Sequence, residues 1–196
     1  MRVIGGRFRG RPLASPRDPS DLRLRPSSDR VRESVFNILA HGIPEFSLEG
    51  AKVLDLFAGT GAFGVEALSR GASFCLFVEQ DAEARGLIRR NVDAFGLAGV
   101  TRIFRRDATD LGPAGHRDGF TLVFADPPYG RGLAEKALAS AAEGGWLADG
   151  AIAVIEEADR AELALPAGFK EIDRRTWGST QVVFARYETQ SGARAP

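Results

Sequence analysis

The stretch KVLDLFAGTGAFG, Lys52 to Gly64, decides the fold that this sequence predicts. It begins as an apolar run that contains one acid, Asp55, and it ends in glycines with the spacing G-x-G-x-x-G. A buried strand, a glycine turn and a helix in this order form the first unit of many α/β folds. Glycine lets the backbone approach a ligand at the helix N-terminus. Alone the pattern is weak, because a strand-to-helix turn favours glycine anyway and dinucleotide binding fits it too.

Strands and helices alternate through the rest of the chain. Strands are predicted in SFCLFVE, VTRIFR, FTLVFA and AIAVIEE, and helices near residues 62–70, after a cap at Asp81, and over 133–142. The last segments, FKEIDRRTW and TQVVFARY, lie close enough to form a hairpin. Continuous apolar strands alternating with helices are typical of a parallel sheet covered on both faces, so we predict an α/β fold.

The chain before this unit differs in character. Residues 1–13 predict a short hairpin, residues 15–26 an extended, proline-containing connector, and a helix is expected from Ser28 or Asp29 to just before Gly42. The apolar stripe of that helix consists of Val31, Val35, Ile38 and Leu39. We therefore expect an arm over residues 1–26, a main domain over 27–188 and a flexible tail over 189–196.

Composition bounds the class of protein. The 196 residues carry no net charge, and no apolar run approaches the ~18–20 residues of a membrane span. Cys75 is the only cysteine and is expected in the core, and neither His41 nor His116 has metal-ligand spacing, so both are expected at the surface. With no signal-peptide pattern, a cytoplasmic protein without a metal is expected.

The neutral total hides an asymmetry in charge. Residues 1–32 contain nine arginines and three aspartates, a net charge of +6, so the remainder carries −6. A basic arm on an acidic body favours a polyanionic partner, although a solvated basic tail explains the charge equally well. Arginine can grip phosphate with two hydrogen bonds and stack on bases, which modestly favours nucleic acid.

Acidic residues recur at the carboxyl ends of the predicted strands, where ligands bind in open parallel sheets. Asp55 is badly placed beside a pyrophosphate but suits a cationic ligand. Glu79 follows Gly59 by 20 residues and could accept both hydroxyls of a ribose, whereas a helix-capping role fits Asp81 better. Asp107 follows the third strand and could bond an adenine edge or be an ordinary loop acid.

The most distinctive ending is that of the fourth strand, Asp126-Pro127-Pro128-Tyr129. Two prolines rigidify the backbone and remove two N–H donors. The carboxylate and carbonyl oxygens then form an acceptor-rich floor that suits a substrate presenting an NH2 group. Tyr129 adds a face on which a base can stack. A simple turn is the alternative, and the position at a strand end of this sheet disfavours it.

These motifs resemble those of a known enzyme class. DLFAGTG at residues 55–61 together with the Asp126–Tyr129 tetrapeptide resembles S-adenosylmethionine-dependent amino-methyltransferases. MRVIGGRFRGRPL, LRPSSDRVRESVFNIL and GWLADGAIAVIE resemble more particularly the bacterial 16S rRNA guanine-N2 methyltransferases of the RsmD family. The resemblance runs from Met1 to about Tyr187, and its departures, Thr60 for the usual serine and Tyr129 for a frequent phenylalanine, leave the chemistry unchanged.

The resemblance implies a Rossmann-like class I methyltransferase fold, with seven strands of which the last is antiparallel. It implies S-adenosylmethionine as cofactor, S-adenosylhomocysteine as product, no metal, and 16S rRNA within the 30S subunit as partner. The oligomeric state is open, and a monomer is the default expectation. The implied catalytic residues are Asp126, Pro127, Pro128 and Tyr129. The implied cofactor-binding residues are Asp55, Phe57, Gly59, Gly61, Glu79, Gln80, Asp107 and Ala108.

The implied RNA-binding residues are Arg7, Arg9, Arg11, Arg23, Arg25 and Arg30. Arg30, Arg32 and Glu33 open the first helix, where they could border the catalytic cleft or form an ordinary exposed turn. No function is carried to the loop at Trp177-Gly178-Ser179.

Three alternatives remain open. A DNA adenine-N6 methyltransferase shares the cofactor site and the amino-group chemistry, but the chain has no obvious inserted target-recognition domain. A nicotinamide oxidoreductase explains the glycines and Glu79 but leaves Asp55 and the proline pair without a role. A non-catalytic RNA-binding assembly factor would keep the cofactor pocket as a vestige.

Overall fold

The computed structural model describes residues 1–16, 29–115 and 119–189. The strands are β1 (Lys52–Leu56), β2 (Phe74–Val78), β3 (Thr101–Phe104), β4 (Phe120–Ala125), β5 (Leu147–Ala158), β6 (Phe169–Trp177) and β7 (Thr180–Tyr187). The α-helices are α1 (Asp29–His41), α2 (Ala62–Ser69), α3 (Ala82–Phe95) and α4 (Leu133–Glu143). Short 3-10 turns lie at Gly6–Phe8 and Ala98–Val100.

All seven strands form one sheet in the order β3-β2-β1-β4-β5-β7-β6. Strands β1 to β5 pair in parallel, while β7 lies between β5 and β6 and is antiparallel to both. The predicted α/β sheet with an antiparallel last strand is therefore confirmed. The chain order reverses between β1 and β4, which is the switch point where such sheets bind ligands.

Helices cover both faces of the sheet, as the continuous apolar strands predict. On one face the side chains of α1, α2 and α3 pack on alternate strand residues such as Val53, Phe124 and Val154. On the other face α4 packs on the intervening residues, including Leu54 and Ile155. Cys75 is fully buried, as expected of a small core residue. Within the described residues no helix is long and apolar enough to cross a membrane.

The N-terminal segment packs on the helices rather than projecting from them. Arg2 and Pro12 form an isolated antiparallel bridge around the 3-10 turn, so the predicted hairpin is present in an irregular form. Val3 and Leu13 are buried in the same core as α1 and α2. The predicted connector falls mostly in residues 17–28, and the predicted tail mostly in 190–196, both outside the described residues.

Two local expectations need correction. Strand β5 begins at Leu147 rather than Ala151, because Leu147 already pairs with Phe120 of β4. The register shifts after this pair, and the shift accommodates the turn residue Gly150 within the strand. The reading of Arg32 as part of an exposed turn is wrong, since its side chain is fully buried. Its guanidinium donates to the Arg2 carbonyl at 2.6 Å and to Asp29 at 2.9 Å, and its Nε lies 3.8 Å from Oε2 of the buried Glu66 in α2.

Candidate active site at the carboxyl edge of the sheet

The loop after β1 is built by glycines that serve different physical needs. Gly61 has a φ of +76°, which side chains rarely adopt, and it begins α2 with no side-chain cap. Gly64 has no such φ, but a Cβ there would lie 2.4 Å from the Phe77 ring and 2.5 Å from the Cys75 sulfur. The third glycine of the motif therefore lets α2 pack closely on β2, whereas a Cβ on Gly59 would meet only the Phe57 carbonyl oxygen, at 3.9 Å.

Asp55 lies beneath this loop. Its carboxylate accepts the Gly64 N–H at 3.0 Å, and its side chain is almost fully buried. Burial raises the pKa of Asp55 to about 8, with the nearby Glu79 charge adding to the rise and the Gly64 hydrogen bond opposing it. Asp55 therefore supports the loop from below, and its predicted attraction of a cationic ligand stays a prediction.

Glu79 joins the loop to the start of α3. One carboxylate oxygen accepts the Gly59 N–H at 2.9 Å and the other accepts the Asp81 N–H at 2.7 Å. Asp81 caps α3 by accepting the Ala84 N–H, which confirms its predicted role. Each Glu79 oxygen retains acceptor capacity, because a carboxylate oxygen can take two hydrogen bonds. The neighbouring Gln80 side chain is exposed.

Asp107 follows β3 on the same edge of the sheet. Its Oδ1 accepts the backbone N–H and the hydroxyl of Thr109, both at 2.8 Å, and the residue is exposed. This local turn holds the carboxylate in place, while Ala108 beside it is buried.

The Asp126–Tyr129 segment leaves β4 as a braced loop. The Tyr129 hydroxyl donates to Glu156 Oε1 at 2.6 Å, and the Gly130 N–H donates to Glu157 Oε1 at 3.0 Å. Glu156 and Glu157 lie at the carboxyl end of β5, so the end of this strand supports the loop that follows the neighbouring strand β4. Pro127 is buried, whereas Pro128 is exposed and Tyr129 is 38% exposed. The exposed ring leaves a face available to a flat ligand.

Tyr129 remains a hydrogen-bond donor in this setting. Partial burial, then the charge of Glu156 and its hydrogen bond, raise the pKa of the phenol well above its ordinary value, and Asp126 adds to the rise. The Thr180 hydroxyl lies 3.5 Å from the phenol, so the turn between β6 and β7 reaches the same edge. The loop at Trp177-Gly178-Ser179 thus lies close to Tyr129, which sequence reasoning did not foresee.

A small pocket opens beside this loop. Two carboxylates, Asp126 and Glu156, line it together with apolar side chains: Val35, Phe63, Phe124, Val154 and Val182. The Phe63 and Phe124 rings stack with centroids 4.8 Å apart. The pocket therefore combines a stiff apolar wall with two acceptor groups, a setting in which a hydrogen bond to a ligand is stronger than in water.

Sequence reasoning missed three acids that organise this region: Glu66, Glu156 and Glu157. Glu66 is fully buried and accepts the N–H groups of Ile4 and Gly5 at 2.8 and 2.7 Å, and it pairs with Arg70 at 2.7 Å. It fastens the N-terminal segment to α2. The available signal was a lone acid inside the apolar helix AFGVEALS, since a charge in that position needs buried partners.

The basic residues of the N-terminal segment differ in their surroundings. The Arg11 guanidinium donates to the Ala94 carbonyl at 2.6 Å and lies 4.5 Å from the Phe95 ring centroid. The Arg7 guanidinium lies 4.5 Å from the Phe8 ring centroid, and Arg9 and Arg30 are exposed. Arg23 and Arg25 lie outside the described residues. Within the part of the chain that the structure describes, no group of three or more His, Cys, Asp or Glu side chains could hold a metal ion.

Comparison with known proteins agrees with this geometry. Residues 1–186 match the family model described as Conserved hypothetical protein 95. The chain is 36% identical over 192 residues to the ribosomal RNA small subunit methyltransferase D of Escherichia coli K12, covering 97% of this chain and 91% of that protein. It is 31% identical to the protein of the same name from Haemophilus influenzae, covering 91% of this chain and 89% of that protein.

Solved structures extend the likeness. The yhhF protein of Escherichia coli superposes with a TM-score of 0.81 at 33% identity, covering 97% of this chain and 99% of that chain. An RNA methyltransferase of Salinibacter ruber in complex with S-adenosyl-L-homocysteine shares the fold, with a TM-score of 0.61 at 15% identity over 84% of this chain and 95% of that one. From the family-model match and the identity across nearly its whole length, the chain belongs to the RsmD family of ribosomal RNA small subunit methyltransferases.

Proposed function

We propose that this protein transfers a methyl group from S-adenosylmethionine to the exocyclic N2 of a guanine in 16S rRNA. One observation carries the proposal: Leu56 of β1 pairs with Ala125 of β4. The glycine loop and the Asp126–Tyr129 loop therefore leave adjacent strand ends side by side. A cofactor held by the first loop would have its reactive end next to the second.

The residues on this edge fit S-adenosylmethionine. The loop after β1 offers a glycine cradle, because a Cβ on Gly59 would have only one neighbour within 4 Å. Glu79, fixed by Gly59 and Asp81, offers carboxylate oxygens to the two ribose hydroxyls. Asp107 and Ala108 are assigned to the adenine end, and Phe57 and Gln80 to the walls. These assignments follow the order of the strands along the edge, β3-β2-β1-β4.

The chemistry of the site follows from the acceptors around Asp126. The N2 amino group of guanine is a poor nucleophile because its lone pair is delocalised into the ring. Asp126 and the Pro127 carbonyl accept its two N–H groups and turn the nitrogen toward tetrahedral geometry, which frees the lone pair. When bound, S-adenosylmethionine supplies an electrophilic methyl group, whose bond to N2 forms as its bond to sulfur breaks and the electron pair stays on sulfur. Asp126 takes the proton that N2 releases.

Positioning and electrostatics supply most of the rate in this proposal. Tyr129 stacks on the target base, with its ring held by the bond to Glu156. The base must leave its stack to reach the pocket, at a cost of a few kcal/mol that is smallest in a loop or bulge.

The substrate assignment rests on the family and on charge. The relatives from Escherichia coli and Haemophilus influenzae carry names that specify small subunit rRNA. Arginines of the arm, residues 1–26, contact phosphates together with Arg30, while residues 27–188 carry the methyltransferase site. The enzyme acts in the cytoplasm as a monomer, and its substrate is the 30S subunit rather than naked rRNA.

Methyl transfer from labelled cofactor distinguishes the candidate substrates. The full chain is incubated with 30S subunits, with naked 16S rRNA and with duplex DNA, and methylated nucleosides are identified by mass spectrometry. N2-methylguanosine in the 30S rRNA is expected. Label confined to adenine in DNA would refute the substrate, and absence of label in every acceptor, despite cofactor binding by calorimetry, would refute the activity.

A further inference from the structure

Glu156 lies in the pocket beside Asp126, yet nothing in the proposed chemistry requires a second carboxylate there. In the sheet Phe124 pairs with Val154 and Ala125 pairs with Ile155. Because strand side chains alternate between faces, Asp126 and Glu156 continue the face that Phe124 and Val154 occupy. Both carboxylates line the same pocket. Glu157 points to the other side and binds the Gly130 N–H.

Two neighbouring carboxylates repel each other in a largely apolar pocket, which destabilises the folded protein. Pairs of like charges of this kind are more common at functional sites than elsewhere. Glu156 is only 6% exposed, so its charge has little access to water. One of its oxygens accepts the Tyr129 hydroxyl at 2.6 Å. A donor-rich ligand edge would complement the pair of acids, whereas an edge that presents an acceptor would be repelled.

The two purines differ in just this respect. Guanine presents N1–H beside its N2 amino group, so two donors lie next to each other, with the O6 acceptor on the other side of N1. Adenine presents an amino group beside N1, which is an acceptor. Building on the proposed function, we infer that Glu156 accepts the N1–H of the target guanine while Asp126 accepts the N2 amino group, so that Glu156 selects guanine over adenine.

Glu156 is then a specificity-determining residue rather than only a support for Tyr129. The two roles predict different outcomes. A support holds the ring equally for any base that stacks on it. A hydrogen-bond acceptor for N1–H discriminates against a base that has the 2-amino group but no N1–H, and 2-aminopurine is such a base.

The test uses the full chain and 30S subunits reconstituted with 16S rRNA. A synthetic segment of this rRNA carries guanine or 2-aminopurine at the position that wild type methylates, which is first located by mass spectrometry of rRNA fragments. We expect wild type to methylate guanine at least about a hundredfold faster, because sites built to bind an N–H can reject analogues that lack it by about 10⁴-fold or more. In Glu156→Gln the side-chain amide can donate to N1 of 2-aminopurine, which carries no hydrogen. The ratio of the guanine rate to the 2-aminopurine rate should therefore fall at least about tenfold.

Two further variants separate the roles. Tyr129→Phe removes the hydroxyl that Glu156 holds but leaves the carboxylate, so its guanine to 2-aminopurine ratio should stay within about threefold of wild type. Glu157→Gln changes the adjacent acid on the other face and should also keep the ratio. A wild-type ratio below about ten, or equal falls in Glu156→Gln and Tyr129→Phe, would overturn the inference while leaving the proposed function intact.

A low wild-type ratio overturns the inference even if Glu156→Gln fails to fold. Absence of methylation in both RNAs with wild type would instead refute the proposed function, and the inference with it.

Discussion

The Gly59 N–H donates to the Glu79 carboxylate at 2.9 Å across 20 residues of sequence. This bond ties the glycine loop of β1 to the end of β2. It fixes the position of the Glu79 carboxylate relative to the glycine loop, and both are assigned to the cofactor site. Preorganisation of this kind reduces the entropy that ligand binding would otherwise cost.

Glu79→Gln should weaken binding of S-adenosylmethionine with little effect on the fold. The amide removes the negative charge that strengthens hydrogen bonds from the ribose hydroxyls, and it presents one acceptor oxygen instead of two. We expect the dissociation constant, measured by calorimetry, to rise about tenfold or more, equivalent to at least about 1.4 kcal/mol. Glu83→Gln, the same change at an exposed position in the first turn of α3, is the matched control. Equal affinity in both variants would remove Glu79 from the cofactor site.

Asp126→Ala should separate catalysis from cofactor binding. The variant loses the acceptor for the amino group but leaves the glycine loop and Glu79 unchanged. We expect methyl transfer to 30S subunits to be abolished, while the dissociation constant for the cofactor stays within about tenfold, or about 1.4 kcal/mol. Asp149→Ala, an exposed acid at the start of β5, controls for loss of an aspartate. Full activity in Asp126→Ala would show that Asp126 is not the group that accepts the amino group in methyl transfer.

Asp55→Asn should change how stability depends on pH. Burial raises the pKa of Asp55 from 3.8 to about 8, so between these values the folded protein keeps a proton that the unfolded chain has released. The stability that this group contributes is complete below the lower value and is lost as the pH rises through about 8. Asparagine does not ionise, so the variant should gain stability relative to wild type from pH 4 to pH 8. Parallel curves of urea midpoint against pH would contradict this.

The sheet was predictable because its signals are local. Runs such as FTLVFA and AIAVIEE are continuous and apolar, and glycine or a helix cap follows several of them, so element type and order could be read directly. The start of β5 was missed because LADG has the composition of a turn. Its pairing with β4 begins at Leu147 and Phe120, a relation that no local pattern encodes.

The candidate site was predictable only in part, for a similar reason. Asp126 and Tyr129 stand out beside two prolines, and Glu79 stands out by its distance from Gly59. Glu156 looks like the end of a strand, and only the sheet register brings it to Tyr129. Arg32 looks exposed in a helix, and only the packing of α1 on α2 brings it to Glu66. Partners distant in sequence leave no pattern in either segment.

Glu66→Gln should destabilise the protein strongly. The side chains of Glu66 and Arg32 are both fully buried, and the N–H groups of Ile4 and Gly5 also depend on this carboxylate. Removal of one partner leaves a buried charge poorly compensated, so we expect the free energy of unfolding to fall by about 3 kcal/mol. Glu143→Gln, at the exposed end of α4, should change it by less than about 0.5 kcal/mol in the same urea titration. A small effect at both positions would show that Glu66 is not the fastening point.

Arg9→Gln should weaken RNA binding without affecting stability. Val3 and Leu13 belong to the core, so deletion of the arm would confuse binding with unfolding, whereas Arg9 is exposed. If Arg9 contacts a phosphate, its loss should reduce the slope of log affinity against log salt by about one. Arg175→Gln provides the control, because it removes the same charge from β6, at the sheet edge opposite β3. Filter binding to 30S subunits over a range of salt gives both slopes. An unchanged slope for Arg9→Gln would exclude Arg9 from the RNA contact, and equal reductions in both variants would mean that net charge, rather than the N-terminal segment, governs binding.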